Sequence, residues 1–314
     1  MSRIHDALKK AEQEKAARAG EVSSGPVSGG TLSQTGQTGD LTSSTTAAAS
    51  GDLPSLGSGF EAIDVGKALL EKSSRQTWNP DRKTMLLFDR RKSVLGLEEF
   101  RILRSHLDLI GEQQSLRKLL VTSPLPKEGK TFVAANLAQV MARQHERRVL
   151  LVDADLRASS MHRVFGVAAS PGLADYLVGA ADEFSIIQRS PVDNFFFIPS
   201  GKHVRNPSEL IGNGRLKNLL RVLEPAFDSI ILDSPPALPV ADTKLLAKLC
   251  DGVLLVVLAG STQFPMAQKA LQQFPEERRV GVVINRAETN SIYGSKYHKY
   301  ASSSVQGTEE HYRR

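Results

Sequence analysis

Cysteine is almost missing from this chain of 314 residues, where Cys250 stands alone. One thiol closes no internal disulfide and nothing near it suggests a metal cluster, so a reducing cytoplasm is the expected setting and a buried small hydrophobe its expected use. Long apolar runs are missing too. The longest, GVLLVVLAG from Gly252, is too short to span a bilayer. The N-terminus carries charge from Arg3 onward and has no apolar region of secretory type. Any membrane role is therefore expected to run through a partner. Lys and Arg are absent between Arg18 and Lys67, and aromatics are absent from Glu21 to Gly59. That Ser/Thr/Gly/Ala-rich composition cannot offset its ordering entropy, and residues 21–84 are predicted to be a flexible tether. Tyrosine is scarce and unevenly placed: of five, only Tyr176 lies outside Ser291–Arg314, which holds Tyr293, Tyr297, Tyr300 and Tyr312. Folded proteins usually half-bury this residue, so its collection in a polar terminus calls for a reason.

What is present begins with a net charge of +6 and a pI near 9.4, which suit an anionic partner without choosing one. Residues 2–18 read as a short helix with Ser2 as N-cap and Ile4, Leu8 and Ala11 on one narrow stripe. So thin a stripe leaves residues 1–20 either a fraying terminus or a helix that docks on a partner. From about residue 95 helical patterns alternate with the runs KLLVTS, RVLLVD, NFFFIPS, SIILDS, GVLLVVLA and VGVVIN. Runs apolar on both faces and separated by helix-length segments predict an α/β domain over 85–290, a mostly parallel β-sheet flanked by helices on each side.

Three strand ends carry chemistry. In LLVTSPLPKEGKTFVAANLAQVMA a strand ends at Thr122, and Gly129, Lys130 and Thr131 open a helix. Such a junction gathers backbone N–H groups and a helix N-terminus where phosphate oxygens can sit. The loop from Pro126 through Lys127, Glu128, Gly129, Lys130 and Thr131 to Phe132 is the candidate nucleotide cradle. Lys130 would neutralise the β- and γ-phosphates of ATP, and the Thr131 hydroxyl would ligate Mg²⁺. Pro124 stands where the first P-loop glycine is usual, which makes this a variant Walker A of the deviant kind. In RVLLVDADLR a strand delivers Asp153 and Asp155 toward the crevice where parallel sheets bind ligands. Their expected uses are Mg²⁺ binding and accepting a proton from a hydroxyl nucleophile, with a salt-bridged loop around Arg157 as the plainer alternative. In FDSIILDSPPALPVAD a strand ends at Asp233, a candidate Walker B carboxylate for the metal. Asp242, further on, is expected to cap a helix rather than to approach the metal. Asn285 closes the last strand and either reads an adenine edge or shapes a turn.

Taken together these segments resemble the bacterial tyrosine kinase family, P-loop proteins that govern exopolysaccharide and capsule synthesis. LLVDADLR resembles the second, D-x-D motif of that family, IILDSPP its Walker B, and Glu98, Arg101 and Arg104 its E-x-x-R-x-x-R ring-assembly motif. NPSELI and the terminal tyrosines are similar as well. The amino-terminal SRIHDALKKAEQE resembles stand-alone members whose transmembrane activator is a separate chain. The resemblance implies a P-loop tyrosine autokinase using ATP and Mg²⁺, with Lys130, Asp153 and Asp155 catalytic and Thr131, Asp155 and Asp233 at the metal. It further implies a homo-oligomeric ring and phosphorylation of the tail 291–314. A polysaccharide co-polymerase of the membrane would be the activator, a cognate tyrosine phosphatase would reset the tail, and no nucleic acid is expected. The protein would be cytoplasmic, at the inner membrane only through that partner. Lys127 departs from the family, which has glycine there, and either tunes nucleotide affinity or points outward. The rival readings are an ATPase switch of the partitioning or division-site type and a nucleotide-binding scaffold without catalysis.

Overall fold

The computed structural model describes residues 73–75, 77–81, 84–85, 94–144 and 146–287, all within the compact unit Gly57–Arg314. The helix predicted in residues 1–20, most of the tether and the tyrosine-bearing tail lie outside the described residues.

Along the chain the elements are β1 (Ser74–Arg75), α1 (Val94–Gln113), β2 (Lys118–Thr122), α2 (Lys130–Ala142), β3 (Val149–Asp153), α3 (Met161–Phe165) and α4 (Leu173–Leu177). There follow β4 (Gln188–Arg189), β5 (Phe195–Ile198), α5 (Pro207–Gly212), α6 (Arg215–Leu223), β6 (Ser229–Asp233), α7 (Asp242–Ala247), β7 (Gly252–Leu258), α8 (Phe264–Leu271) and β8 (Arg279–Asn285). The strands form one sheet in the order β1-β4-β5-β3-β6-β2-β7-β8. Every apolar run predicted as a strand is one, and the sheet is parallel except where β4 meets β5. The period of two explains why the runs are apolar throughout. Leu120, Leu150, Val152, Ile230 and Leu232 join the core on one face, while Leu119, Val121, Val149, Leu151 and Ile231 join the core on the other.

The strand order decides where the chemistry gathers. β6 lies between β2 and β3, and the register sets Asp233 against Val121 on one side and Asp153 on the other. The three strand ends singled out above therefore open side by side. The helix after β2 fits this position: α2 is buried from Val133 to Ala142, between the sheet and α1. Arg104 of α1 donates to the Val140 carbonyl at 3.1 Å, and Phe100 meets Phe132 edge-on at 5.9 Å.

Two expectations need correction. The tether was extended through residue 84, yet its described end is built into the fold. Ser74 and Arg75 pair with Gln188 and Arg189, and Trp78 packs against Phe165, Phe195 and Phe197. The buried amides of Asn136 and Gln139 in α2 reach the Thr84 carbonyl at 3.1 Å and the Met85 sulfur at 3.6 Å. A piece this short has no periodicity to read, so its burial was invisible in the sequence. Among the described residues the sheet is also not covered throughout. At the edge strand β8, Val282 and Ile284 are 37% and 56% exposed, since an edge needs cover on fewer sides than its apolar sequence suggests.

Candidate nucleotide and phosphotransfer site

The loop after β2 is held by bonds of its own. Thr122 Oγ1 donates to the Pro235 carbonyl at 2.9 Å, Ser123 Oγ donates to the Leu125 carbonyl at 2.7 Å, and Leu125 N–H donates to Glu128 Oε2 at 2.7 Å. Gly129, at φ 97°, is the N-cap of α2 and no side chain caps the helix. Its first N–H groups are thus left for an anion, in keeping with a phosphate cradle. Glycine is required there twice over, because a Cβ would lie 2.0 Å from Asn285 Nδ2 and φ is left-handed. Lys127, where the resemblance leads one to expect glycine, adopts φ 68°, and its side chain is exposed. The loop keeps this left-handed conformation, and lysine bears the strain. Lys127→Gly is therefore expected to raise stability by about 0.5–1 kcal/mol in urea denaturation, the relief of strain exceeding the added freedom of the unfolded chain.

Three carboxylates meet at the strand ends, with Asp153, Asp155 and Asp233 all nearly inaccessible. Lys130 Nζ lies 2.9 Å from Asp155 Oδ2 and 3.9 Å from Asp233 Oδ1, and Thr131 Oγ1 donates to Asp233 Oδ2 at 2.7 Å. Asp153 Oδ2 accepts from Ser159 Oγ at 2.6 Å, while Asp153 Oδ1 and Asp233 Oδ1 are buried without a hydrogen-bond partner. The charges follow from this crowding. Burial, then the charge of Asp233, pushes Asp153 up to about 7. Burial pushes Asp233 up to about 6 against the pull of Lys130 and Thr131. For Lys130 burial is the largest single influence and acts downward, but Asp233 and Asp155 together outweigh it and its pKa is raised.

This set fits a magnesium nucleotide. Two buried carboxylate oxygens without partners sit beside a hydroxyl and a lysine at a helix N-terminus. Mg²⁺ takes one or two carboxylates and completes its shell with phosphate and water.

Other predicted residues fall elsewhere. Asp242 is not a helix cap, since Ala241 holds that place. Its buried carboxylate receives Arg157 Nε at 2.7 Å and Nη2 at 3.0 Å, together with the hydroxyl of Ser208. Burial alone would raise the Asp242 pKa, yet these partners hold it below the usual range. Arg157 thus leaves Asp153 and Asp155 to the site, apart from its backbone N–H, which donates to Asp155 Oδ1 at 3.3 Å. This arrangement ties the NPSELI segment to the loop after β3. Asn285 Nδ2 donates to the Glu128 carbonyl at 2.9 Å, so its amide nitrogen serves the loop. On α1, Glu98 pairs with Arg101 at 3.0 Å on the surface, whereas Arg104 is turned inward to Val140. Ser159, Ser208 and Thr262, which also join these networks, carry no sequence signal that sets them apart from other loop hydroxyls.

Known proteins are similar to this chain in sequence and fold. A family model described as AAA domain matches residues 128–276. The tyrosine-protein kinase YwqD of Bacillus subtilis is 31% identical over 69% of this chain and 89% of its own length. The chain belongs to the bacterial tyrosine kinase family. Among solved structures, the kinase domain of the Escherichia coli tyrosine kinase ETK superposes with a TM-score of 0.59 at 29% identity, covering 71% of this chain and 87% of that one. EpsB of Ralstonia nicotianae is 35% identical over 77% of this chain but only 32% of its own length. The chain therefore spans about a third of that kinase relative. Among the described residues no helix is long and apolar enough to cross a membrane.

Proposed function

We propose that this chain is an ATP-dependent protein-tyrosine autokinase that phosphorylates the tyrosines of its own C-terminal segment in trans within an oligomer. The observation that carries the reading is the convergence of Lys130, Thr131, Asp153, Asp155 and Asp233 at three adjacent strand ends. Backbone N–H groups at the start of α2 bind the phosphates, and Lys130 shifts from Asp155 onto the β- and γ-phosphates. Thr131 and Asp233, organised by Asp155, would hold Mg²⁺, which when bound neutralises phosphate charge. Asp153 accepts the phenolic proton as the tyrosine oxygen bonds to the γ-phosphorus and the bond to ADP breaks. A free tyrosine, with a pKa of about 10, is a poor nucleophile at neutral pH without such a base. Asn285 keeps its amide oxygen for the adenine edge.

Tyr293, Tyr297, Tyr300 and Tyr312 are the proposed acceptors, with Tyr293, nearest the folded domain, the most restricted in reach. Each phosphate adds about −1.5 to −2 charges, so repulsion would loosen a ring assembled through Glu98, Arg101 and Arg104. In this reading the cycle regulates exopolysaccharide or capsular polysaccharide synthesis and export. A transmembrane co-polymerase would activate the kinase and hold it at the inner membrane from the cytoplasm, and a tyrosine phosphatase would reverse it. A partitioning-type ATPase is disfavoured because Leu125 stands where the signature lysine of those proteins would lie and because the tyrosine tail would have no use. Catalytic decay is disfavoured by the intact acids.

Mixing two variants tests transfer in trans. Lys130→Met supplies an intact tail without catalysis, and a chain with all four tail tyrosines changed to Phe supplies catalysis without acceptors. Labelled ATP is expected to mark the Lys130→Met chain in the mixture and neither chain alone. Label on the Lys130→Met chain by itself, or none in the mixture while wild type is labelled, contradicts transfer between chains.

A further inference from the structure

Glu128 lies at the centre of the phosphate loop and is 4% exposed. A carboxylate there repels incoming phosphates, so contact with the nucleotide does not account for it. Both of its oxygens are engaged elsewhere. Oε2 accepts from Leu125 N–H at 2.7 Å, and Oε1 accepts from the hydroxyl of Thr262. Thr262 Oγ1 itself accepts from the N–H of Leu258 at 2.8 Å, which ends β7. The Glu128 carbonyl accepts from Asn285, which ends β8. Side chain and backbone of one loop residue are thus gripped by the ends of two neighbouring strands. The grip falls where the loop needs it, because Lys127 and Gly129 on either side are both at positive φ. Such a loop persists only when its surroundings hold it.

We propose that Glu128, Thr262 and Asn285 form a clamp that holds the loop in its phosphate-binding shape, with Thr262 a positioning residue for nucleotide affinity. This deepens the reading of the loop as a nucleotide site and rests on it. Because β8 continues toward the tyrosine-bearing segment, the clamp also joins the root of the acceptor tail to the cradle of the donor.

Thr262→Val keeps the shape and removes both hydrogen bonds, whereas Thr262→Ser keeps the hydroxyl. Titration with a fluorescent ADP analogue and Mg²⁺ is expected to show Thr262→Val binding about tenfold more weakly, the effect of leaving a buried carboxylate oxygen unpaired. KM for ATP rises in parallel while kcat at saturating ATP stays within about twofold, and Thr262→Ser restores wild-type affinity. Should a thermal melt show Thr262→Val unfolded, Thr262→Ala replaces it, with weakened nucleotide binding expected in a folded chain. A folded Thr262→Val or Thr262→Ala variant with wild-type affinity overturns the clamp, as does Thr262→Ser failing to rescue. A wild type that binds no nucleotide overturns the site reading itself, which separates the two failures.

Discussion

Lys130→Met loses phosphotransfer by at least on the order of 10²–10³-fold, the scale of removing one preorganised donor from a developing charge. The reason lies in the geometry: Lys130 is the cation among three buried acids, 2.9 Å from Asp155 and 3.9 Å from Asp233. The same change also costs stability. Without the ammonium both carboxylates stay buried and uncompensated, a loss on the order of 3 kcal/mol. Because the Lys130 pKa is raised, its contribution is lost toward high pH only in strong alkali. The deficit of the variant should shrink on acidification, as Asp153 and Asp233, already raised by burial in the wild type, take up protons and no longer need a cation. Denaturation at several pH values checks this. Adding Asp155→Asn to Lys130→Met is expected to recover part of the stability and none of the activity, which separates the chemical role of the lysine from its structural one.

Asp153→Asn is expected to lower tyrosine phosphorylation by on the order of 10²–10⁴-fold while nucleotide affinity stays within about twofold, as for loss of a general base that does not hold the phosphates. Its effect on stability has the opposite sign. An ordinary aspartate releases its proton near 3.8, but folded Asp153 does so at about 7. Between those values the folded chain binds more protons than the unfolded one, so this residue makes stability fall as pH rises. Asparagine has no charge to bury. The variant should therefore melt several degrees above wild type beyond about pH 7 and with it below about pH 4. An inactive variant that is also less stable at high pH would show that Asp153 serves packing rather than proton transfer.

The parts of this molecule written locally were legible in its sequence. A strand buried on both faces must be apolar at every position, so VLLVD and SIILD announce themselves, and G-K-T after such a strand places a phosphate site. Contacts between distant segments were not legible. Arg157 and Asp242 are 85 positions apart and Glu128 and Thr262 are 134 apart, and nothing in either neighbourhood announces its partner. Asp242 looked like a helix cap because it opens α7, and only the fold shows that Arg157 claims it. The left-handed backbone of Lys127 is likewise visible only in the fold. Trp78 shows the limit of composition: a tether poor in aromatics ends in one that seals the core against Phe165 and Phe197.

In the proposed function the strand ends transfer phosphate to tyrosine rather than to water. Phosphotyrosine and released phosphate can be measured together on the purified chain with MgATP and a cytoplasmic activator segment, beside Lys130→Met. Phosphotyrosine is expected within residues 291–314 in the wild type and none in the variant. ATP hydrolysis without protein-bound phosphotyrosine would contradict that function.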